Sequence, residues 1–192
     1  MKVMLTIHRL VFVLLVAVSL STGKTAIADA KYNEIEWTQL MPADDLAALL
    51  NPPDFLLDIE DGEDNDNIES LSTLSESNET AKRFEQALQS TRVIEAFDQA
   101  RIRLPGFIVP LQSDEQQRVT HFFIVPYFGA CLHMPPPPPN QIIYAEYQPG
   151  VQLNTLFDPY WFEGTLQIAH TVNGLGSSAY TLRLERYYSY ED

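Results

Sequence analysis

Five consecutive prolines, Pro135, Pro136, Pro137, Pro138 and Pro139, constrain this chain more than any other stretch. They fix five φ angles and remove five backbone donors, so the run fits neither a helix interior nor a central strand. A polyproline II rod of about 16 Å is predicted, at roughly 3.1 Å per residue. Apolar, strand-like sequence lies on both sides, and Asn140 and Gln141 lead straight into the second stretch. That leaves little slack, so the run reads as a built-in strut rather than a loose linker. The only cysteine, Cys131, and His133 precede it two positions apart. In an extended backbone that spacing points both side chains to one side.

The N-terminus has a different logic. Lys2 and Arg9 make a basic start, Leu10 to Leu20 an apolar run, and Ala26-Ile27-Ala28 a small-x-small cleavage site. This is the pattern of a cleaved signal peptide over residues 1–28, exporting the mature chain to the periplasm. The apolar run is well short of the roughly twenty residues that cross a bilayer. No cysteine stands at the cleavage region to carry a lipid, so no stable membrane anchor is expected. Loss of Lys2, Arg9 and Lys24 leaves nine bases against 26 acids, a net charge of −17. Such a chain repels nucleic acid and anionic headgroups and favours cations or a basic partner surface. One cysteine in an exported protein cannot close an internal disulfide, so its thiol is buried, metal-bound or reactive.

Residues 29–97 read as a helical and acidic N-terminal segment. Pro42, Asp44 and Asp45 open a short helix that Pro52 and Pro53 close, with Leu46, Leu49 and Leu50 as an apolar side predicted to pack on the main body. Eight acids and no base lie between Asp54 and Glu69. Their spacing does not match a calcium-binding loop, and a solvated acidic segment, partly disordered over 54–78, is expected. A second helix is predicted from Glu79 to Gln89, with Phe84 and Leu88 one turn apart.

From residue 98 to 192 the periodicity alternates. Strands are predicted at Arg101 to Leu111, Arg118 to Pro126, Gln141 to Gln148, Tyr160 to Thr171 and Ala179 to Tyr188. Gly106 and Gly164 inside two of them signal bends or bulges. The fold class expected is mainly β with N-terminal helices (α+β). A small five-stranded antiparallel barrel of the oligonucleotide/oligosaccharide-binding type is favoured, with an open sandwich as the alternative.

LPGFIVPL at 104 to 111, FFIVPYFGACLHMPPPPPNQ at 122 to 141 and WTQLMP at 37 to 42 together resemble the bacterial family called domain of unknown function 3299. The resemblance covers most of the mature chain. It implies a small exported protein of the kind often encoded beside ABC-transporter components, in some bacteria within zinc-responsive gene clusters. Lipid-anchored members carry a cysteine at the cleavage site, and this chain departs from them there.

Cys131 and His133 are both good zinc ligands, with His121 on the preceding strand as the third and His170 or Glu146 as further candidates. The competing reading makes His133 a hydrogen-bonded structural histidine and Cys131 a core residue. Catalysis by a Cys131 thiolate would need His133 or His121 as its base. The sequence shows no nucleophile elbow, oxyanion-holding glycine nest or CxxC pair, so a non-enzymatic role is expected. The prolines, with Asn140 and Gln141, form either a recognition surface for a partner's aromatic groove or a strut covered by the chain's own rings. Tyr127, Phe128, Tyr144, Tyr147, Tyr160, Trp161 and Phe162 are the rings available for the second.

Two functions follow. One is a periplasmic accessory or binding protein of an ABC-type transport system, extended to zinc handling. The other is a metal-free envelope interaction module built on the proline rim.

Overall fold

The computed structural model describes residues 31–54, 72–73, 78–129 and 136–191. The predicted signal peptide at 1–28 and nearly all of the acidic run lie outside these residues, as do Cys131, His133 and Pro135.

Among the described residues the main elements are β1 (Asn33–Glu34), α1 (Ala43–Leu49), α2 (Glu79–Leu88), β2 (Arg101–Ser113), β3 (Val119–Val125), β4 (Ile143–Val151), β5 (Tyr160–Asn173) and β6 (Gly176–Ser189). Each long strand overlaps a predicted one. Strands β2, β3, β4, β6 and β5 pair in that order, and β5 returns to β2, so five strands close a barrel. Two residues of β1 add a parallel edge beside Ile102 and Arg103.

The purely antiparallel expectation needs correction, because β4 and β6 run parallel through Ile143–Tyr180, Tyr144–Thr181 and Ala145–Leu182. The reason is topological. Direction alternates around an antiparallel ring, and five strands cannot alternate without one like-directed pair. The strand order and the single parallel pair are otherwise those of the predicted barrel type.

Alternation builds the interior. Along β2, Ile102, Leu104 and Ile108 turn inward and meet Phe122 and Ile124 of β3, Phe162 and Leu166 of β5, and Tyr180 and Leu182 of β6. β2 changes partner midway: residues up to Gly106 pair with β5, and those from Phe107 pair with β3. Gly106 makes that corner possible, since a Cβ there would stand 2.7 Å from Ile124 Cγ2 and 3.0 Å from the Val125 carbonyl. A bend was the sequence expectation at Gly106, and the register slip between Glu163 and Gly164 supplies the bulge expected in β5. A second, smaller apolar cluster joins Phe123, Val125 and Ile142 with Phe107, Val109, Leu111 and Tyr144.

The β2–β5–β6 face carries an arginine and aromatic ladder. Arg103 lies 4.0 Å over the Trp161 ring, whose other neighbour is Tyr190, stacked at 5.2 Å. Buried Glu163 accepts from Arg186 Nε at 2.7 Å and from the Tyr188 hydroxyl at 3.0 Å. Glu163, Arg186 and Tyr188 satisfy one another and reinforce the barrel wall, whereas the buried Arg103 Nε has no hydrogen-bond partner and lies 3.8 Å from Glu34 Oε2.

Three short segments close over one end of the barrel: the 3-10 turn Trp37–Leu40, residues 90–94, and the 3-10 turn Pro139–Gln141 that ends the proline run. Tyr180 ties the first two together, donating to the Leu40 carbonyl at 2.9 Å and accepting from the Ile94 N–H at 2.8 Å. Gln141 Nε2 donates to the Trp37 carbonyl at 2.8 Å, and Trp37 Nε1 donates to the Pro105 carbonyl of β2 at 2.7 Å. Asn140 Nδ2 donates to the Arg92 carbonyl at 3.0 Å. The proline corner is therefore bolted to both the barrel and its cover. Among the described residues no helix is long and apolar enough to cross a membrane.

Candidate functional site

Proline chemistry explains the first wall of the site. Pro137 and Pro138 are buried and Pro136 is half-buried. Without N–H groups they need no ladder partner, so they can form a wall of hydrocarbon and carbonyl oxygen. Their run stops where the Gln141 N–H reaches the Pro138 carbonyl at 2.8 Å. Asn140 and Gln141, buried behind the turn, hold it in place through the side-chain bonds to Arg92 and Trp37.

Opposite stand the helices. Asp44 and Asp45 sit in the first turn of α1, where carboxylates suit the helix dipole, and Asn78 caps α2 by accepting from the Thr80 and Ala81 N–H groups. The helices are pinned by charge. Asp45, almost fully buried, accepts from the Ser90 hydroxyl at 2.6 Å and from Arg92 Nη1 at 3.0 Å, with Arg83 3.5 Å away. Asp44 accepts from the same Arg92 nitrogen at 2.6 Å, and this bond holds its carboxyl below the usual carboxylate range. Asp45→Ala is expected to cost about 2 kcal/mol, because Ser90 loses its buried acceptor while the arginines can turn to water. Thermal melting checks this. A variant within error of the parent would show that the clamp is dispensable.

Between the two walls lies a groove of ≈ 230 Å³. Met41, Leu46, Leu49 and Leu88 line the helical side, Pro126 and Tyr127 the end of β3, and Pro136, Pro137, Pro138 and Gln141 the far side. None of these residues is charged. The apolar side of α1 therefore does not all pack on the body as expected: Leu46 and Leu49 face the groove, and Leu50 beyond them is 70% exposed. The clamp at Asp45 fixes the helix without closing this side. Tyr127 is 44% exposed, and the adjacent Phe128 ring lies tilted against Phe157 at 4.4 Å with both rings open to solvent. An apolar surface thus continues outward from the groove.

The rings expected to cover the prolines mostly go elsewhere. Only Tyr127 joins the groove, whereas Tyr144 meets Phe123, Tyr147 meets Tyr187, and Tyr160 packs on Phe162. Helix side chains take their place.

Of the three proposed metal ligands, His121 is described. It lies opposite Glu146 in the β3–β4 register, with Nε2 3.9 Å from Glu146 Oε1 and Nδ1 3.0 Å from the Thr120 hydroxyl. The structure brings these two residues together on neighbouring strands. His170 is exposed on β5. Among the described residues no group of three or more His, Cys, Asp or Glu side chains could hold a metal ion. Sequence reasoning missed Met41, Leu46, Leu49, Leu88 and Pro126 as functional residues. The available signal was an aliphatic stripe on a short helix bounded by prolines.

A family model described as protein of unknown function (DUF3299) matches residues 37–189. A crystal structure of a DUF3299 family protein from Pseudomonas aeruginosa PAO1 is similar with a TM-score of 0.59 at 33% sequence identity, over 84% of this chain and 98% of that one. No curated protein matches.

Proposed function

The chain belongs to the DUF3299 family, and for this member we propose a non-enzymatic envelope protein that docks an apolar segment of a partner protein in the groove beside its prolines. The observation carrying this reading is the uncharged groove itself, lined by four prolines and by Tyr127, which is 44% exposed. Its ≈ 230 Å³ lies below the roughly 300–1,000 Å³ of sites that enclose drug-sized ligands. Space of that size suits side-chain anchors of a peptide segment better than a metabolite. The rigid wall supports the same reading, because a surface already ordered before binding loses little conformational freedom on docking.

Placement in the periplasm beside an ABC-type transport component is part of the proposal and rests on the leader sequence and the family resemblance. A zinc-handling version would add Cys131 and His133, which lie outside the described residues, to the His121–Glu146 pair. Metal content separates this version from the metal-free one. Zinc carried by the parent protein and lost in both Cys131→Ser and His121→Ala would reinstate the metal site.

The docking role is tested by placing a photo-crosslinking side chain at Leu50 in the producing cell. A discrete crosslinked partner is expected, and it should weaken at least about tenfold when Leu46 and Leu49 become asparagine. Crosslinking that is equal in the two backgrounds would refute the groove as the docking surface.

A further inference from the structure

We infer that Arg103 anchors a carboxylate carried on an apolar body, in a site on the barrel wall that shares no residue with the groove. Its donors are the unused ones. Every other arginine among the described residues hydrogen-bonds a protein oxygen, and on this wall Arg101 reaches Glu185, Arg183 reaches Thr165 and Arg186 reaches Glu163. Arg103 makes no such bond among the described residues. Its Nε is buried without a partner, and Glu34 Oε2 forms only a loose ion pair with it at 3.8 Å, beyond hydrogen-bond reach. The two Nη groups have no protein acceptor either but are not buried, in a side chain that is 35% exposed. They are the edge a ligand would meet.

Their orientation is set in advance. The guanidinium carbon lies 4.0 Å from the centre of the Trp161 ring and 5.9 Å from that of Tyr188. A planar fork laid on a ring matches the two oxygens of a carboxylate and loses little freedom on binding. Charge narrows the ligand further. Arg101, Arg103, Arg183 and Arg186 outnumber Glu34, Glu163 and Glu185 on this wall by one, which suits a monoanion better than a phosphate dianion. The apolar body has a place as well. Tyr190, 49% exposed, stacks on Trp161 at 5.2 Å and extends the ring surface beside the fork.

The test titrates the protein with acetyl-Ala-Ala-Phe, its C-terminal amide, phenylpropanoate and inorganic phosphate, and reads the Trp161 indole resonance. At least one of the two acids is expected to bind in the millimolar range, about tenfold tighter than the amide or phosphate. Which acid does so separates a peptide C-terminus from a small free acid as the source. Arg103→Lys should weaken that acid about tenfold, since an ammonium offers no planar fork. Glu34→Gln should tighten it about threefold by removing a competing carboxylate, a gain that a purely structural Arg103 would not produce. The Glu34 side chain is 62% exposed, so this variant remains usable should Arg103→Lys melt early. An amide or phosphate that binds as tightly as the acid would overturn the carboxylate site. Unchanged or weaker acid binding in Glu34→Gln would do the same, as would the lack of a saturable shift with either acid.

Discussion

Tyr180→Phe is expected to lower stability by about 3 kcal/mol, the largest effect predicted for removal of a single oxygen from this chain. The ring is fully buried in the barrel, and its hydroxyl is the shared partner of the Leu40 carbonyl and the Ile94 N–H. Phenylalanine keeps the packing but leaves both backbone groups without that partner, each at roughly 1–3 kcal/mol. For a chain of this length the change should appear as a fall in Tm of about 9 °C. A shift of less than about 2 °C would mean that water replaces the hydroxyl.

The same hydroxyl predicts a pH response. Burial pushes the Tyr180 phenol above its ordinary value near 10, opposed in part by the Ile94 N–H. The folded state thus prefers the neutral phenol. Its contribution is fully present below about pH 10 and is lost as pH rises through the folded value. Burial shifts Tyr160 and Tyr144 the same way. Stability should therefore fall above about pH 10, and less steeply in Tyr180→Phe. Equal slopes would show that this phenol is not the group responsible.

Gly164→Ala should destabilise by about 3 kcal/mol or more, and the variant will accumulate poorly. A Cβ at this bulge would stand within van der Waals distance of the Arg183 carbonyl carbon, 3.0 Å away, and of Leu184 Cα at 3.1 Å, closer still to the carbonyl oxygen. All three are backbone atoms of β6, so no side chain can swing aside; the β5–β6 pairing must move. Gly174 is the control. Nothing lies within 4 Å of a Cβ built there, and Gly174→Ala should stay within about 0.5 kcal/mol of the parent. A stable Gly164→Ala protein with the parent's melting profile would show that β5 and β6 can separate without cost.

Particular residues show how far the sequence could be read. Ile102, Leu104 and Ile108 alternate with outward neighbours, which made β2 legible, and the mid-strand glycines marked its corner and the β5 bulge. Asp44 and Asp45 after Pro42 marked the start of α1. The candidate site was harder to read. Leu46 and Leu49 looked like an ordinary core stripe, because a local pattern records that a helix has an apolar side but not what stands opposite it. His121 was named as a ligand from its place in the chain. Its meeting with Glu146 depends on the β3–β4 register, which no short-range pattern contains.

By itself the sequence determined a mainly β chain with two short helices, the positions of its bends, and a rigid proline segment, because side-chain periodicity, φ restriction and missing donors act within a few residues. Only the tertiary structure decided that an odd-numbered ring closes with one parallel pair, and that Pro136, Pro137 and Pro138 share a groove with aliphatic helix residues and a single aromatic ring, Tyr127. It also decided that a groove remains between them. Those outcomes arise from contacts between segments some forty to ninety residues apart, such as Leu46, Leu88 and Pro137, whose distances in space are set by how the barrel closes.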